Sequence, residues 1–161
     1  MKKFSAILAA VVAVAAIGVT AAVSSGDGRT VLKFDTMAPV VPPYTGPANA
    51  IRGVNGGGLP WKLASAEGKL RADGRLSIEV EGLVLVGTGA NPSPTFRGVV
   101  SCLSSDETGA ATIVNVSTDA VPATSTGDAE IDARVALPSP CFAPIVFVTS
   151  GGGSWFAVTG R

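Results

Sequence analysis

Histidine is absent from all 161 residues, and this one absence removes several chemistries. Hydrolases of the Ser-His-Asp and Cys-His kinds need an imidazole to carry the proton, and the common zinc sets need one as a ligand. A Ser-Lys pair is formally available from Lys33, Lys62 or Lys69, but no local motif joins any of them to a serine. Charge is sparse too, at 15% of residues, with twelve basic side chains against twelve acidic ones. The Lys and Arg residues are scattered singly. No basic face is expected to displace counterions from phosphates, so neither nucleic acid nor an anionic membrane surface is an expected partner. Beyond the N-terminal stretch no segment keeps a 3.6-residue apolar period, so helix should be minor.

That N-terminal stretch is the most informative part of what is present. Lys2 and Lys3 precede an apolar run from Phe4 through Ile17, which gives way to small residues around Gly18, Thr20, Ala21, Ala22 and Ser24. This is the layout of a secretory signal peptide over 1–24, with a cut after Ala21, Ala22 or Ser24. A membrane anchor is the alternative, but alanine dominates the run and contributes little transfer energy. No cysteine follows it to take a lipid. Cleavage leaves about 137 to 140 residues, enough for one domain with a real core. Without Lys2 and Lys3, ten basic residues face twelve acidic ones. The expected location is secreted or extracellular, with cell-envelope association as a variant and no membrane contact after cleavage.

Cys102 and Cys141 are the only cysteines, and in an exported chain such a pair reads as a disulfide. Closing a loop of about 40 residues stabilises a fold by roughly 4 kcal/mol in the chain-entropy model. A catalytic thiol would need a base, which the chain does not offer as histidine. Whether the bond ties neighbouring strands or two sheets is open at this level.

Residues 25–49 are polar and proline-rich, with Pro39, Pro42, Pro43 and Pro47 close together. They read as a flexible lead, with an edge strand at 31–34 or an arm packed on the domain as variants. From residue 50 to 161 apolar and polar residues alternate at period two between turn residues, which predicts strands throughout. The clearest unit runs from Trp61 to Leu70 and from Leu76 to Leu85, joined at Asp73-Gly74, a strong hairpin signal. Further strands are predicted at 95–103, 111–117, 129–137, 145–150 and 155–159. Ile145-Val146-Phe147-Val148 is apolar on both faces and short, so it belongs in the middle of a sheet. About seven or eight short strands with frequent turns predict an all-β fold, an antiparallel β-sandwich, with a small β-barrel as the alternative.

Few residues offer chemistry. Glu79 and Glu81 share one strand face with Cα atoms about 6.8 Å apart, a separation a glycosidase pair tolerates, but they project in parallel rather than across a cleft. Asp128, Glu130 and Asp132 form a second acidic row. Ca²⁺ is one reading of it, and opposite charges on a neighbouring strand, with Arg134 continuing the face, are the other. No metal site is expected on these grounds, and no cofactor. Asn55-Gly56-Gly57-Gly58 and Gly151-Gly152-Gly153 read as turns, since the first lacks the Lys-Ser/Thr ending of a phosphate loop. Asn115-Val116-Ser117 matches a glycosylation sequon. Trp61 and Trp155 each follow such a turn, where exposed rings can stack on sugars, although core packing is the favoured account because both enter alternating runs.

Gly58-Leu59-Pro60-Trp61, Gly82-Leu83-Val84-Leu85, the segment Asn91 to Arg97 leading to Val100-Ser101-Cys102, and Leu137 to Cys141 through Trp155 to Gly160 together resemble uncharacterised secreted proteins of high-GC Gram-positive bacteria. The likeness spans about residues 56 to 161. It implies a bacterial exported protein with both cysteines in its framework and brings no functional residues. The expected function is therefore a non-enzymatic secreted β domain, binding or structural in the envelope. The alternatives are a carbohydrate-binding module using Trp61 or Trp155, and a hydrolase drawing a carboxylate pair from Glu67, Glu79, Glu81, Asp128, Glu130 and Asp132. An extracellular polysaccharide or an envelope protein is the expected kind of partner.

Overall fold

The computed structural model describes residues 28–160. The expected leader at 1–24 lies outside them. The described residues form twelve strands and no helix: β1 Thr30–Phe34, β2 Met37–Pro39, β3 Trp61–Lys62, β4 Ser65–Arg71, β5 Arg75–Glu81, β6 Val84–Leu85, β7 Thr95–Ser105, β8 Ala111–Ser117, β9 Val121–Pro122, β10 Ala129–Arg134, β11 Phe142–Ser150 and β12 Trp155–Thr159. One sheet has the order β1-β4-β5-β10 and the other β2-β12-β11-β7-β8, with β9 pairing the start of β7. A short β3–β6 ribbon stands apart. The paired strands in all three are antiparallel, and the architecture is the sandwich, not the barrel.

The alternation seen in the sequence builds the interior. Leu76, Ile78 and Val80 on β5, Leu70 on β4 and Ile131 on β10 are buried on the inner face of the first sheet. They meet Phe96 and Val100 of β7 and Val146 and Val148 of β11 in one core cluster. The sheets approach closely at Gly98, where an added Cβ would stand 2.9 Å from Leu76 and 3.3 Å from Ile78. The β4–β5 hairpin turns at Asp73-Gly74 as predicted. Gly74 has φ 84°, and its carbonyl accepts from Val135 N at 2.9 Å, which leads the chain out of β10.

Three departures from the sequence reading have physical causes. The run from Trp61 to Leu70 is two strands, and so is the run from Leu76 to Leu85. Gly82, at φ 64°, breaks the second run, and Ala64 N bonds Glu81 O at the matching point of the first. The proline-rich segment is part of the sandwich from Thr30 on, not a lead to it. Its β1 pairs with β4 and β2 with β12, and Phe34, Met37 and Val40 are buried. The prolines forbid a helix but leave edge strands open, and burial of these three apolar residues holds the segment down.

The third departure explains why β11 reads as apolar on both faces. After β2 the chain crosses the outer face of the second sheet. Arg52 donates to the carbonyls of Ser101 and Ala143, both at 2.9 Å, and Asn115 Nδ2 donates to Arg52 O at 3.0 Å. Gly57 N bonds Trp155 O and Trp155 N bonds Asn55 O, so the returning chain is laced to β12. Val99, Phe147 and Trp155 are buried as a result. β11 sits in the middle of its sheet, as expected from its composition. Cys102 and Cys141 are bonded with Cα atoms 5.0 Å apart. Leu103 pairs with Phe142 next to them, so the bond ties neighbouring strands of one sheet, not one sheet to the other.

Candidate functional site

Side chains on the outer face of the four-stranded sheet are set by strand register. Glu67 of β4 lies directly opposite Glu79 of β5, and Glu79 opposite Glu130 of β10. The next row holds Lys33, Lys69, Ser77 and Asp132, and the one beyond it pairs Arg75 with Arg134. In the glutamate row and the arginine pair, like therefore faces like. This corrects the expectation that opposite charges on a neighbouring strand balance the acidic row, since carboxylates directly opposite each other repel. Arg134 does continue the face, but beside another arginine. Both arginines reach the same carboxylate, Asp73 Oδ2, at 2.7 and 3.1 Å.

The acidic row borders an open groove of about 320 Å³ with Lys33, Asp35, Glu67, Lys69, Glu79 and Glu130 on its walls. The side chains of Phe34, Ile78 and Ile131 are in the core, so their backbone and that of Gly68 make its floor. Gly68 is inward-facing, and the Phe34 ring occupies its place: a Cβ there would lie 2.6 Å from Phe34 Cζ.

The other candidate residues fall elsewhere. Trp61 and Trp155 are 3% and 2% exposed. Both rings are core, so the stacking role proposed for them is corrected: neither offers a free face to a sugar. Trp61 stacks on Phe156 with centroids 3.9 Å apart, and Trp155 packs near Phe147. Asp128 leaves the acidic row and is bonded locally. Its oxygens accept from Gly82 N at 2.9 Å, Thr124 Oγ1 at 2.9 Å and Thr126 Oγ1 at 2.6 Å. The Thr126 hydroxyl first, then Gly82 N–H and Thr124, hold its pKa below the ordinary aspartate value. Asp106 is held low in the same way by Thr108 and the amides of the β7–β8 turn. Glu81 accepts from Ser65 Oγ at 2.8 Å.

Among the described residues no three His, Cys, Asp or Glu side chains are placed to hold a metal ion. No helix of the described residues is long and apolar enough to cross a membrane. Asn115 of the sequon lies within β8 with its amide on Arg52 O.

Sequence reasoning found the residues of the acidic row but not the row. Glu67, Glu79 and Glu130 come from three strands, and only the register makes them neighbours. It also missed a second feature, an apolar row of Phe142, Leu103 and Ile113 directly opposite one another across β11, β7 and β8. These are 63%, 41% and 48% exposed. The alternation of β8 gave the sole signal for it. No protein-family model, curated protein or solved structure matches the chain.

Proposed function

We propose that this chain is an exported, non-enzymatic β domain that works by binding in the cell envelope, with the outer face of the four-stranded sheet as its contact surface. The observation that carries this is the direct opposition of Glu67, Glu79 and Glu130. Like charges set opposite each other cost stability, and a partner bearing cationic groups relieves that cost. A lysine-rich segment of an envelope protein or a polymer of free amino sugars has this chemistry. The resemblance to secreted proteins of high-GC Gram-positive bacteria and the leader at 1–24 support export, and the disulfide fits an oxidising compartment. The placement of the carboxylates in one row on one sheet face supports binding over hydrolysis, because a glycosidase sets its two carboxyl groups on opposite sides of a scissile bond in a cleft.

The test is binding to immobilised poly-lysine and chitosan, with chitin as the neutral counterpart, across a salt series. The expected result is retention on both amine polymers, none on chitin, and release as salt screens the contact. Glu79→Gln with Glu130→Gln should weaken retention at least about tenfold while raising the melting temperature, since it removes the internal repulsion. Equal retention on chitin, or retention indifferent to the double substitution, would overturn the reading.

A further inference from the structure

The four outer strands of the two main sheets are not guarded alike. An open strand edge offers free N–H and C=O groups to any other strand, and proteins ordinarily blunt it with charge, proline, a bulge or shortness. On the first sheet β1 carries Lys33 and a register shift between Thr30 and Leu32, and β10 carries Glu130, Asp132 and Arg134. On the second sheet β2 is three residues long and ends in Pro39. Its opposite edge is β8, seven residues reading Ala-Thr-Ile-Val-Asn-Val-Ser, with no charge, proline or glycine. Its register against β7 runs without a shift.

Which amides of β8 face outward follows from the bonds at its two ends. Asp106 N donates to Ala110 O and Thr118 N donates to Gly98 O, each at 2.9 Å. Bonded and non-bonded pairs alternate along an antiparallel ladder, so Thr112, Val114 and Val116 turn their backbone groups toward β7. Ala111, Ile113, Asn115 and Ser117 turn theirs away, and these four residues are exposed.

We propose that β8 pairs antiparallel with β8 of a second copy of this chain about a two-fold axis at Val114, joining the two larger sheets into one. The occupant is argued from complementarity. Because β8 carries no charge, self-pairing sets no like charges against each other within it, whereas two copies of β10 would oppose carboxylates. In this register Ile113 lies opposite Asn115 of the second copy and Ala111 opposite Ser117, so outward backbone groups meet outward ones and form about eight hydrogen bonds. The apolar row also ends at this edge. Phe142, Leu103 and Ile113 of one copy would adjoin the same row of the other, with the two Ile113 side chains diagonal neighbours.

The test uses the protein as isolated after export, in sedimentation equilibrium over a concentration series and in amide hydrogen exchange at both ends of that series. The expected result is a reversible dimer. In it the amides of Ile113, Asn115 and Ser117 gain protection as the dimer forms, while those of Thr112, Val114 and Val116 are protected throughout. Ile113→Lys should weaken the dimer at least about tenfold with a melting temperature unchanged at concentrations where both proteins are monomeric, as the site is half exposed. Should it disturb folding, Ser117→Pro removes one outward N–H and spares the β7 ladder. A monomer at all concentrations overturns the proposal. So does a dimer in which the outward amides stay unprotected, because the contact then lies on a face, and so does protection of those amides in the monomer, because another segment of the chain then covers the edge.

Discussion

The indole of Trp61 lies on the ring of Phe156, with centroids 3.9 Å apart and planes 21° from parallel. The pair joins the β3–β6 ribbon to β12, and Phe96 meets Phe156 edge-on at 5.9 Å. Trp61→Ala should cost about 3–5 kcal/mol, the range for deleting a buried aromatic side chain. Urea denaturation measures the loss. Both tryptophans of the wild type should resist acrylamide quenching; quenching at the rate of free indole would contradict their burial.

Gly74 combines φ 84° with a close approach to β10: an added Cβ would overlap the Val135 carbonyl oxygen. Gly74→Ala must therefore shift the exit of β10 as well as strain the turn, and a loss above about 1 kcal/mol is expected. A melting temperature equal to wild type would mean that the hairpin relaxes freely.

Cys102 and Cys141 close a loop with a sequence separation of 39. Replacing both by serine should lower stability by roughly 4 kcal/mol or less in the chain-entropy model. Because the bond joins strands already paired in one sheet, the β7–β11 ladder should survive in the variant. Amide exchange at Ile145 and Phe147, which lie opposite Ser101 and Val99 and turn their backbone groups toward β7, reads this directly, and loss of protection there under folding conditions would show that the bond holds the ladder itself.

Asp106 and Asp128 both have pKa values lowered by hydrogen bonds to their ionised form. A group depressed in the folded state adds stability that is present above its unfolded value and lost as pH falls through the folded one. Stability should therefore decline on the acid side of the ordinary aspartate range. Asp106→Asn with Asp128→Asn should flatten that decline and lower stability at neutral pH. Chemical denaturation from neutral pH down to about pH 2 follows it; an unchanged acid slope would assign the dependence to other carboxylates.

Much of the fold was legible because its signals are local. Alternation at Leu76, Ile78 and Val80 follows from the two-residue strand repeat, and Asp73-Gly74 carries its turn chemistry with it. The two cysteines admitted a single pairing. Illegible were the features made by residues distant in sequence. Trp61 and Trp155 admitted a ligand role beside the favoured core one, and burial against Phe156 and Phe147 decided for the core. The proline-rich segment looked detached because composition says nothing of the sheet edges awaiting Thr30–Phe34 and Met37–Pro39.

The sequence by itself determined that the described domain is built of strands, where its hairpin turns, that its cysteines pair and that the chain offers no histidine. These rest on side-chain period, turn geometry and residue inventory, each carried within a few residues or in a count. Tertiary structure alone decided that Glu67, Glu79 and Glu130 form one row, that Phe142, Leu103 and Ile113 form another, and that β8 is left as an open edge. Register decides such things, and register is fixed by how the whole core packs, since a slip of one residue would turn every side chain of a strand to the other face.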